Sequence, residues 1–290
     1  MSLPPTPHAA VSPPPPAWID SRIDAGLPTL LGVRCYGPRH TGPGAALVIH
    51  FHGGAFVAGA LDSGITVAGL LVAAGAVVLS VDYPLAPAEP FPAAAEAGHA
   101  ALLWAWRTRA RLAGPHARLF VAGEEAGGNL AAATALMARD RRLPPLAGQI
   151  LLSPMLDPCL GTASLRRSAA GPVGCPLADG WCQYLREYAA AEHPYAAPGR
   201  ALRLADLAPA LVVTARDDPL QDETLMYASR LRAAEVPVTT HVLPAPSGWP
   251  GALLAVAQAP APWHEPLRRR LHDFLAAGTN RPASAIPLPD

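Results

Sequence analysis

Short apolar segments alternate with longer helical patterns over most of the chain. Apolar runs at 47–51, 77–81, 119–122, 149–152, 210–215 and 239–243 have the length of buried strands. Helical patterns lie at 62–74, 93–110, 126–140, 220–234 and 266–275. Alternation of this kind is typical of a parallel sheet that carries helices on both faces. We therefore predict an α/β fold with a mostly parallel central sheet.

The alternation is interrupted once and fades at both ends. The first sixteen residues contain seven prolines, so we predict an extended, proline-rich arm over residues 1–20. Between the strands that end at 152 and begin at 210 lies a Pro-, Ala- and Gly-rich segment with helical patches such as 179–191. We expect a small helical cap there, at about 154–198, inserted into one domain over 21–280. Residues 281–290 form a predicted tail.

Composition narrows the chemistry that the chain can perform. The 22 acidic residues balance 22 basic ones, so no net field attracts nucleic acid or an anionic membrane. All the basic residues are arginines, which removes Schiff-base and Walker-type mechanisms because both need a lysine amine. The four cysteines fit neither a zinc motif nor a disulfide framework, and we expect no metal and no cofactor. With neither a secretory signal pattern nor an apolar run long enough for a membrane span, we expect a cytoplasmic protein.

Two glycine-containing turns follow predicted strands and carry the candidate chemistry. In the first, His52-Gly53-Gly54-Ala55-Phe56, glycines let backbone N–H groups turn inward, where they could stabilise an oxyanion or only form a tight turn. In the second, Gly123-Glu124-Glu125-Ala126-Gly127, the strand-to-helix setting and the small flanking residues are those of a nucleophile elbow. The central residue of an elbow is usually a serine. Here it is Glu125.

Three further segments make the resemblance specific. They are Asp82-Tyr83-Pro84-Leu85-Ala86-Pro87 with the PFPAA that follows it, Asp218-Pro219-Leu220-Gln221-Asp222-Glu223, and Ser247-Gly248-Trp249. Together with the two turns, the chain resembles the hormone-sensitive-lipase family of carboxylesterases from about residue 32 to 275. That family has HGGG, DYRLAPE with PFPAA, GDSAGGNLA, DPLRDE and HGF in this order. The resemblance implies an α/β-hydrolase fold.

The resemblance also implies a role for each matching position. Gly53, Gly54 and Ala126 would supply the oxyanion-hole N–H groups. Asp218 would be the acid that orients a histidine, but Ser247 stands at the histidine position and Glu125 at the nucleophile position. Three residues would shape the loops around the site: His52, Asp82 and Tyr83. Because a serine triad acts as a unit, we predict a degraded triad and no working esterase.

Three interpretations of Glu125 stay open at this point. It could be a nucleophile, as the aspartate is in related dehalogenases and epoxide hydrolases. It could be a general base that removes a proton next to a carbonyl. It could also fold into the oxyanion hole, where backbone N–H groups and a helix N-terminus favour a negative group.

The sequence therefore predicts an esterase-like protein that is not a working esterase. Its pocket would bind a small, largely apolar ligand or an ester-like molecule, and a homodimer is compatible with the sequence. The alternative is an enzyme, either a hydrolase of carboxylic esters or a non-hydrolytic lyase or isomerase, that uses Glu125. A third interpretation, a protein-interaction partner that uses the proline-rich arm, rests on composition alone.

Overall fold

The computed structural model of the protein describes residues 17–37, 45–168, 175–256 and 261–277. Its eight strands are β1 (Trp18–Ile23), β2 (Leu31–Tyr36), β3 (Ala46–Phe51), β4 (Ala76–Asp82), β5 (Arg118–Glu124), β6 (Gly148–Leu152), β7 (Ala210–Ala215) and β8 (Val238–Leu243). Its helices are α1 (Ile65–Ala73), α2 (Ala93–Leu112), α3 (Ala126–Asp140), α4 (Ala163–Ser168), α5 (Pro176–Leu185), α6 (Gln221–Ala233), α7 (Gly251–Leu254) and α8 (His264–Ala277). Within these ranges no helix is both long and apolar enough to cross a membrane.

All eight strands form one sheet in the order β1-β2-β4-β3-β5-β6-β7-β8. The strands from β3 to β8 run parallel to one another, whereas β2 pairs antiparallel with both β1 and β4. The predicted mostly parallel sheet is therefore confirmed. Because parallel strands point the same way, the segments that follow β3, β5, β6 and β7 meet at one edge of the sheet.

Helices cover both faces of the sheet, as the pattern predicted. On one face, α2, α3 and α6 bury an apolar core that includes Leu102, Leu130 and Tyr227. On the other face, α1 and α8 bury a second core around Leu71 and Leu271. Strands β3, β6 and β7 are buried along their whole length, which explains why they read as continuous apolar runs rather than as alternating patterns.

The sequence analysis missed β1 and β2 at one edge of the sheet. Five of the six residues in β1 are exposed, so this strand has no apolar pattern by which it could be recognised. Trp18 and the two residues after it belong to β1, although they were assigned to the proline-rich arm. The rest of the arm, residues 1–16, and the tail, residues 281–290, lie outside the described residues.

Between β6 and β7 the chain leaves the sheet and forms the helices α4 and α5 with two short 3-10 turns. Helix α5 packs directly on the loop after β3. A Cβ added to Gly180 of α5 would lie 2.2 Å from the carbonyl oxygen of Ala55, so only glycine allows this approach. The Phe56 and Tyr184 rings stack with their centroids 4.0 Å apart. The bounds of a separate cap, at about 154–198, stay a prediction.

Candidate active site

Glu125 lies on the sharp turn between β5 and α3. Its backbone has φ +53° and ψ −115°, a conformation that a non-glycine residue adopts only when its surroundings hold it there. Its N–H donates to the carbonyl oxygen of Leu152 at 3.0 Å, and its own carbonyl oxygen accepts from the N–H groups of Asn129 and Met155. These contacts to β6, α3 and the segment after β6 fix the turn. The positive φ agrees with the predicted elbow.

The elbow requires glycine at position 127, and this makes a stability prediction. A Cβ on Gly127 would lie 2.0 Å from the Phe51 carbonyl oxygen and 2.5 Å from that of His52, both of them backbone atoms that cannot move independently. We expect Gly127→Ala to lower the free energy of unfolding by about 3 kcal/mol or more, as overpacking does. The matched control is Gly251→Ala, because a Cβ there meets nothing within 4 Å. Equal urea midpoints for the two variants would contradict this prediction.

The Glu125 side chain turns back onto the loop after β3. Its Oε2 accepts hydrogen bonds from two successive amides, a short one from Gly54 N–H and one of 3.0 Å from Ala55 N–H. The residue is only 4% exposed. Glu125 thus engages two successive backbone amides of the loop after β3.

The donors differ from those predicted at two positions. Gly53 N–H does not reach Glu125 but donates to Glu124 Oε1 at 3.2 Å. Ala126 N–H makes no hydrogen bond to the Glu125 carboxylate in the described part of the chain. Ala55, which the sequence did not single out, takes their place. The reason is local: Gly54 and Ala55 both have positive φ, +124° and +50°, so their amides turn towards the elbow.

Glu124 belongs to a buried hydrogen-bond network that crosses three neighbouring strands. Its Oε2 lies 2.8 Å from His50 Nε2, and His50 Nδ1 lies 2.8 Å from Ser80 Oγ. None of the three residues is more than 2% exposed, so no substrate reaches them. Burial raises the pKa of Glu124, while the hydrogen bond and charge of His50 act in the opposite direction. Through the hydrogen bond from Gly53 N–H to Glu124, this network positions Gly53 and the loop that follows it.

The three predicted loop-shaping residues have different surroundings. Tyr83 Oη–H donates to the His52 carbonyl oxygen at 2.7 Å, and the two rings stack at 4.4 Å. The His52 ring also bonds through Nδ1 to the Gly53 carbonyl oxygen, and burial lowers the pKa of His52 to about 4. His52 is thus a neutral ring that donates through Nδ1. Asp82 is exposed at the end of β4, and its carboxylate would contact a Cβ at Gly32 of β2.

Asp218 is buried and fully engaged by its own surroundings. Its Oδ2 accepts from Ser153 Oγ and from Thr214 Oγ1, and its Oδ1 accepts from Leu220 N–H at 2.8 Å. Burial raises the pKa of Asp218, and the hydrogen bonds from Ser153 and Thr214 partly offset this effect. The structure brings Asp218 to the carboxyl edge of the sheet, but it does not pair this residue with Ser247.

Ser247 pairs with Asp217 instead. Ser247 Oγ donates to Asp217 Oδ1 at 2.7 Å, and the backbone N–H groups of Ser247 and Gly248 donate to Asp217 Oδ2. Burial alone would raise the pKa of Asp217, but the hydrogen bonds from Ser247 and Gly248 lower it. The family pattern does not single out Asp217, because it marks only the residue before the Pro-Leu pair.

Other candidate sites are sparse in the described ranges. No group of three His, Cys, Asp or Glu side chains there could hold a metal ion. Two surface grooves are lined by other segments, one by His241 with residues of α8 and one by Thr162 with residues of α6. His264 begins α8, where its Nδ1 accepts from Ala261 N–H at 3.2 Å. The chemistry of the site therefore depends on Glu125 and the groups around it.

Comparison with known proteins agrees with this architecture. The model of a family with the α/β hydrolase fold matches residues 48–246. Esterase LipI of Mycobacterium tuberculosis is 40% identical over 232 residues, which cover 77% of this chain and 71% of that protein. The crystal structure of a thermostable esterase from Pseudomonas putida superposes with a TM-score of 0.80 at 29% identity, over 93% of this chain and 85% of that one. Gibberellin receptor GID1C of Arabidopsis thaliana is 34% identical over 202 residues, 65% of this chain and 58% of the receptor. The chain therefore belongs to the hormone-sensitive-lipase family of esterase-like α/β hydrolases.

Proposed function

We propose that this chain is a non-hydrolytic member of its family that binds a small molecule where its relatives cleave esters. The observation that carries the proposal is the position of Glu125. Its carboxylate accepts both Gly54 N–H and Ala55 N–H, so the two amides are not free for the carbonyl oxygen of an ester. A negative oxygen developing at the same place would also be repelled by the carboxylate.

This arrangement argues against the enzymatic alternatives. A nucleophilic or basic Glu125 would need an oxyanion hole for the oxygen of its substrate, because ester cleavage and enolate formation both place negative charge there. Glu125 cannot hold the two amides and leave them to a substrate at the same time. The base is also missing, since Ser247 stands at the histidine position and bonds to Asp217.

The scaffold supports a binding role. The loop after β3 is braced by Glu124, His50 and helix α5, and no residue of that bracing needs a catalytic serine. Phe56 packs against Trp181 and Tyr184 of α5, with ring centroids 5.0 and 4.0 Å away, and this buried contact fixes the loop after β3 against α5. One relative bears the name of a receptor rather than an enzyme. Ligand binding without turnover is consistent with this fold.

The finer predictions about the chain are proposals of the same kind. We propose one domain over 21–280 with a cap at about 154–198, in a protein located in the cytoplasm. In support of this location, the four cysteines, all within the described residues, form no disulfide, as is usual in a reducing compartment. Glu125, Asp218 and Ser247 are proposed to stand at the triad positions, with Gly53, Gly54 and Ala126 at the oxyanion-hole positions. Of these, Gly54, together with Ala55, donates to the Glu125 carboxylate.

The proposal predicts that the natural chain does not hydrolyse esters. We expect its rate with p-nitrophenyl butyrate to equal the buffer blank, and we expect no labelling by a fluorophosphonate probe that reacts with serine hydrolases. The matched control is Glu125→Gln, which removes the carboxylate with almost no change of shape and should be equally silent. The proposal is wrong if the natural chain turns over the ester and Glu125→Gln abolishes that turnover.

A further inference from the structure

The two oxygens of the Glu125 carboxylate are not equivalent. Oε2 accepts both loop amides, whereas Oε1 accepts no hydrogen bond in the described part of the chain. A carboxylate has about four acceptor sites, so Oε1 can accept hydrogen bonds from a further donor. Glu125 is only 4% exposed. Its second oxygen is not among the fully buried side-chain atoms without a partner, so it is an acceptor that solvent or a ligand can reach and to which the described residues donate no hydrogen bond.

The two histidines on and just after β3, beside the loop that Glu125 contacts, are committed elsewhere. Both ring nitrogens of His50 are used, one by Glu124 and one by Ser80. His52 is neutral, since burial lowers its pKa to about 4, and its Nδ1–H donates to the Gly53 carbonyl oxygen. No ion pair in the described ranges includes Glu125. The carboxylate thus has backbone partners but no cationic one.

An apolar side chain lies beside the carboxylate. A Cβ placed on Gly53 would be 2.7 Å from Glu125 Oε2 and 2.5 Å from Leu254 Cδ2, so Leu254 of α7 and the carboxylate converge on the same glycine. Leu254 is partly exposed. A ligand that reaches Glu125 would therefore meet a negative oxygen and an apolar surface together.

We propose that the site binds a small organic ammonium ion, with its N–H groups on Glu125 Oε1 and its alkyl part against Leu254. This inference rests on the proposed function, because it uses the same carboxylate in the same position. In a working esterase the loop donates hydrogen bonds to a carbonyl oxygen. Here Glu125 covers those donors and presents an acceptor in their place, so the polarity of the site is reversed. A charged N–H donor neutralises a buried carboxylate, which an ester or a carboxylate ligand cannot do.

The test compares probes of similar size that differ in polarity. We expect n-butylammonium to bind the natural chain at least ten times more tightly than butyrate or ethyl butyrate, as measured by protein-detected NMR titration. In Glu125→Gln, the amide oxygen can face Gly54 and Ala55 while its NH2 group faces the ligand, so the affinity for n-butylammonium should fall at least tenfold. Glu89→Gln is the matched control, because it removes one exposed charge far along the chain and should leave the affinity unchanged.

Each outcome separates the ligand class from the proposed function. The ligand class is overturned if n-butylammonium binds no better than butyrate, or if Glu125→Gln binds it as well as the natural chain does. Equal melting temperatures of the natural chain and Glu125→Gln would show that a loss of binding is not a loss of fold. Hydrolysis of p-nitrophenyl butyrate by the same preparation reports separately on the proposed function, so a silent protein without amine binding refutes only the ligand class.

Discussion

A variant that combines Glu125→Ser with Ser247→His is expected to hydrolyse p-nitrophenyl butyrate at a measurable rate. Serine at the elbow would inherit the strained turn that presents a nucleophile, and removal of the carboxylate would free Gly54 N–H and Ala55 N–H for the oxyanion. The introduced histidine would supply the base. We expect at least a thousandfold increase over the buffer blank, and initial rates at pH 8 would measure it.

Each single change should give far less than the double change, since the members of a triad act as a unit. Glu125→Ser lacks a base, and Ser247→His lacks a nucleophile and keeps the amides occupied. A double variant that folds, as shown by its circular dichroism and melting temperature, yet stays silent would mean that the site assignment is wrong. Labelling of the double variant, but not of the natural chain, by a fluorophosphonate would place the activity on the introduced serine.

The double variant Glu125→Ser with Ser247→His also makes it possible to identify the acid that orients the introduced histidine. Asp218 is only 2% exposed and is fixed by Thr214 and Leu220, whereas Asp217 is largely exposed to water. A rigid buried acid fixes an imidazole better than an exposed one. We therefore expect Asp218→Asn to reduce the restored rate about a thousandfold or more and Asp217→Asn to reduce it much less. The reverse order would assign the role to Asp217, which holds Ser247 in the natural chain.

Stability is expected to fall as the pH rises from about 5 to 8, because of Glu223. This residue of α6 is 5% exposed, and its Oε1 accepts from Leu156 N–H at 3.3 Å. Burial, aided by the charge of Asp157, raises its pKa from 4.5 to about 8. Between these two values the folded chain keeps a proton that the unfolded chain has lost. Ionisation thus favours unfolding by about 1.4 kcal/mol per pH unit, to an upper limit of about 5 kcal/mol.

The variant Glu223→Gln tests this prediction. Glutamine stays neutral and keeps an oxygen for Leu156 N–H, so its stability should not change with pH through this group. At pH 5 the variant and the natural chain should unfold at similar urea concentrations, and at pH 9 the variant should be more stable by several kcal/mol. Glu89→Gln, at an exposed position, should show no such divergence. Parallel urea curves for the natural chain and Glu223→Gln at both pH values would refute the role of Glu223.

The sequence predicts buried elements of this fold better than exposed ones. Helix α3 and strand β7 begin and end at the predicted residues, because an elbow starts the first and a continuous apolar run defines the second. Strand β1 was missed because its stability comes from pairing with β2 and not from an apolar pattern of its own. Local periodicity carries no information about such a partner.

In the candidate site, local features could be predicted from the sequence, and contacts between distant segments could not. The elbow was predictable, because its small residues and strand-to-helix setting are local features. The hydrogen bonds around the elbow were not predictable, since Gly53 N–H donates to Glu124 and Ser247 Oγ donates to Asp217 through contacts between distant segments. One feature of the sequence could have predicted the buried hydrogen-bond network of His50, Glu124 and Ser80. His50 lies in the middle of an apolar strand, where an unpartnered imidazole would be unfavourable, and so it requires a polar residue on a neighbouring strand.

The contact between Gly180 and Ala55 gives amide hydrogen exchange a specific meaning in this protein. Ala55 is held from one side by the Glu125 carboxylate and from the other by helix α5. Its N–H exchanges with solvent only when its hydrogen bond to the carboxylate breaks, and the packing of α5 on the Ala55 carbonyl oxygen restricts the movement of the loop away from Glu125. Exchange of the Gly54 and Ala55 amides is therefore expected to report any movement of α5 away from this loop.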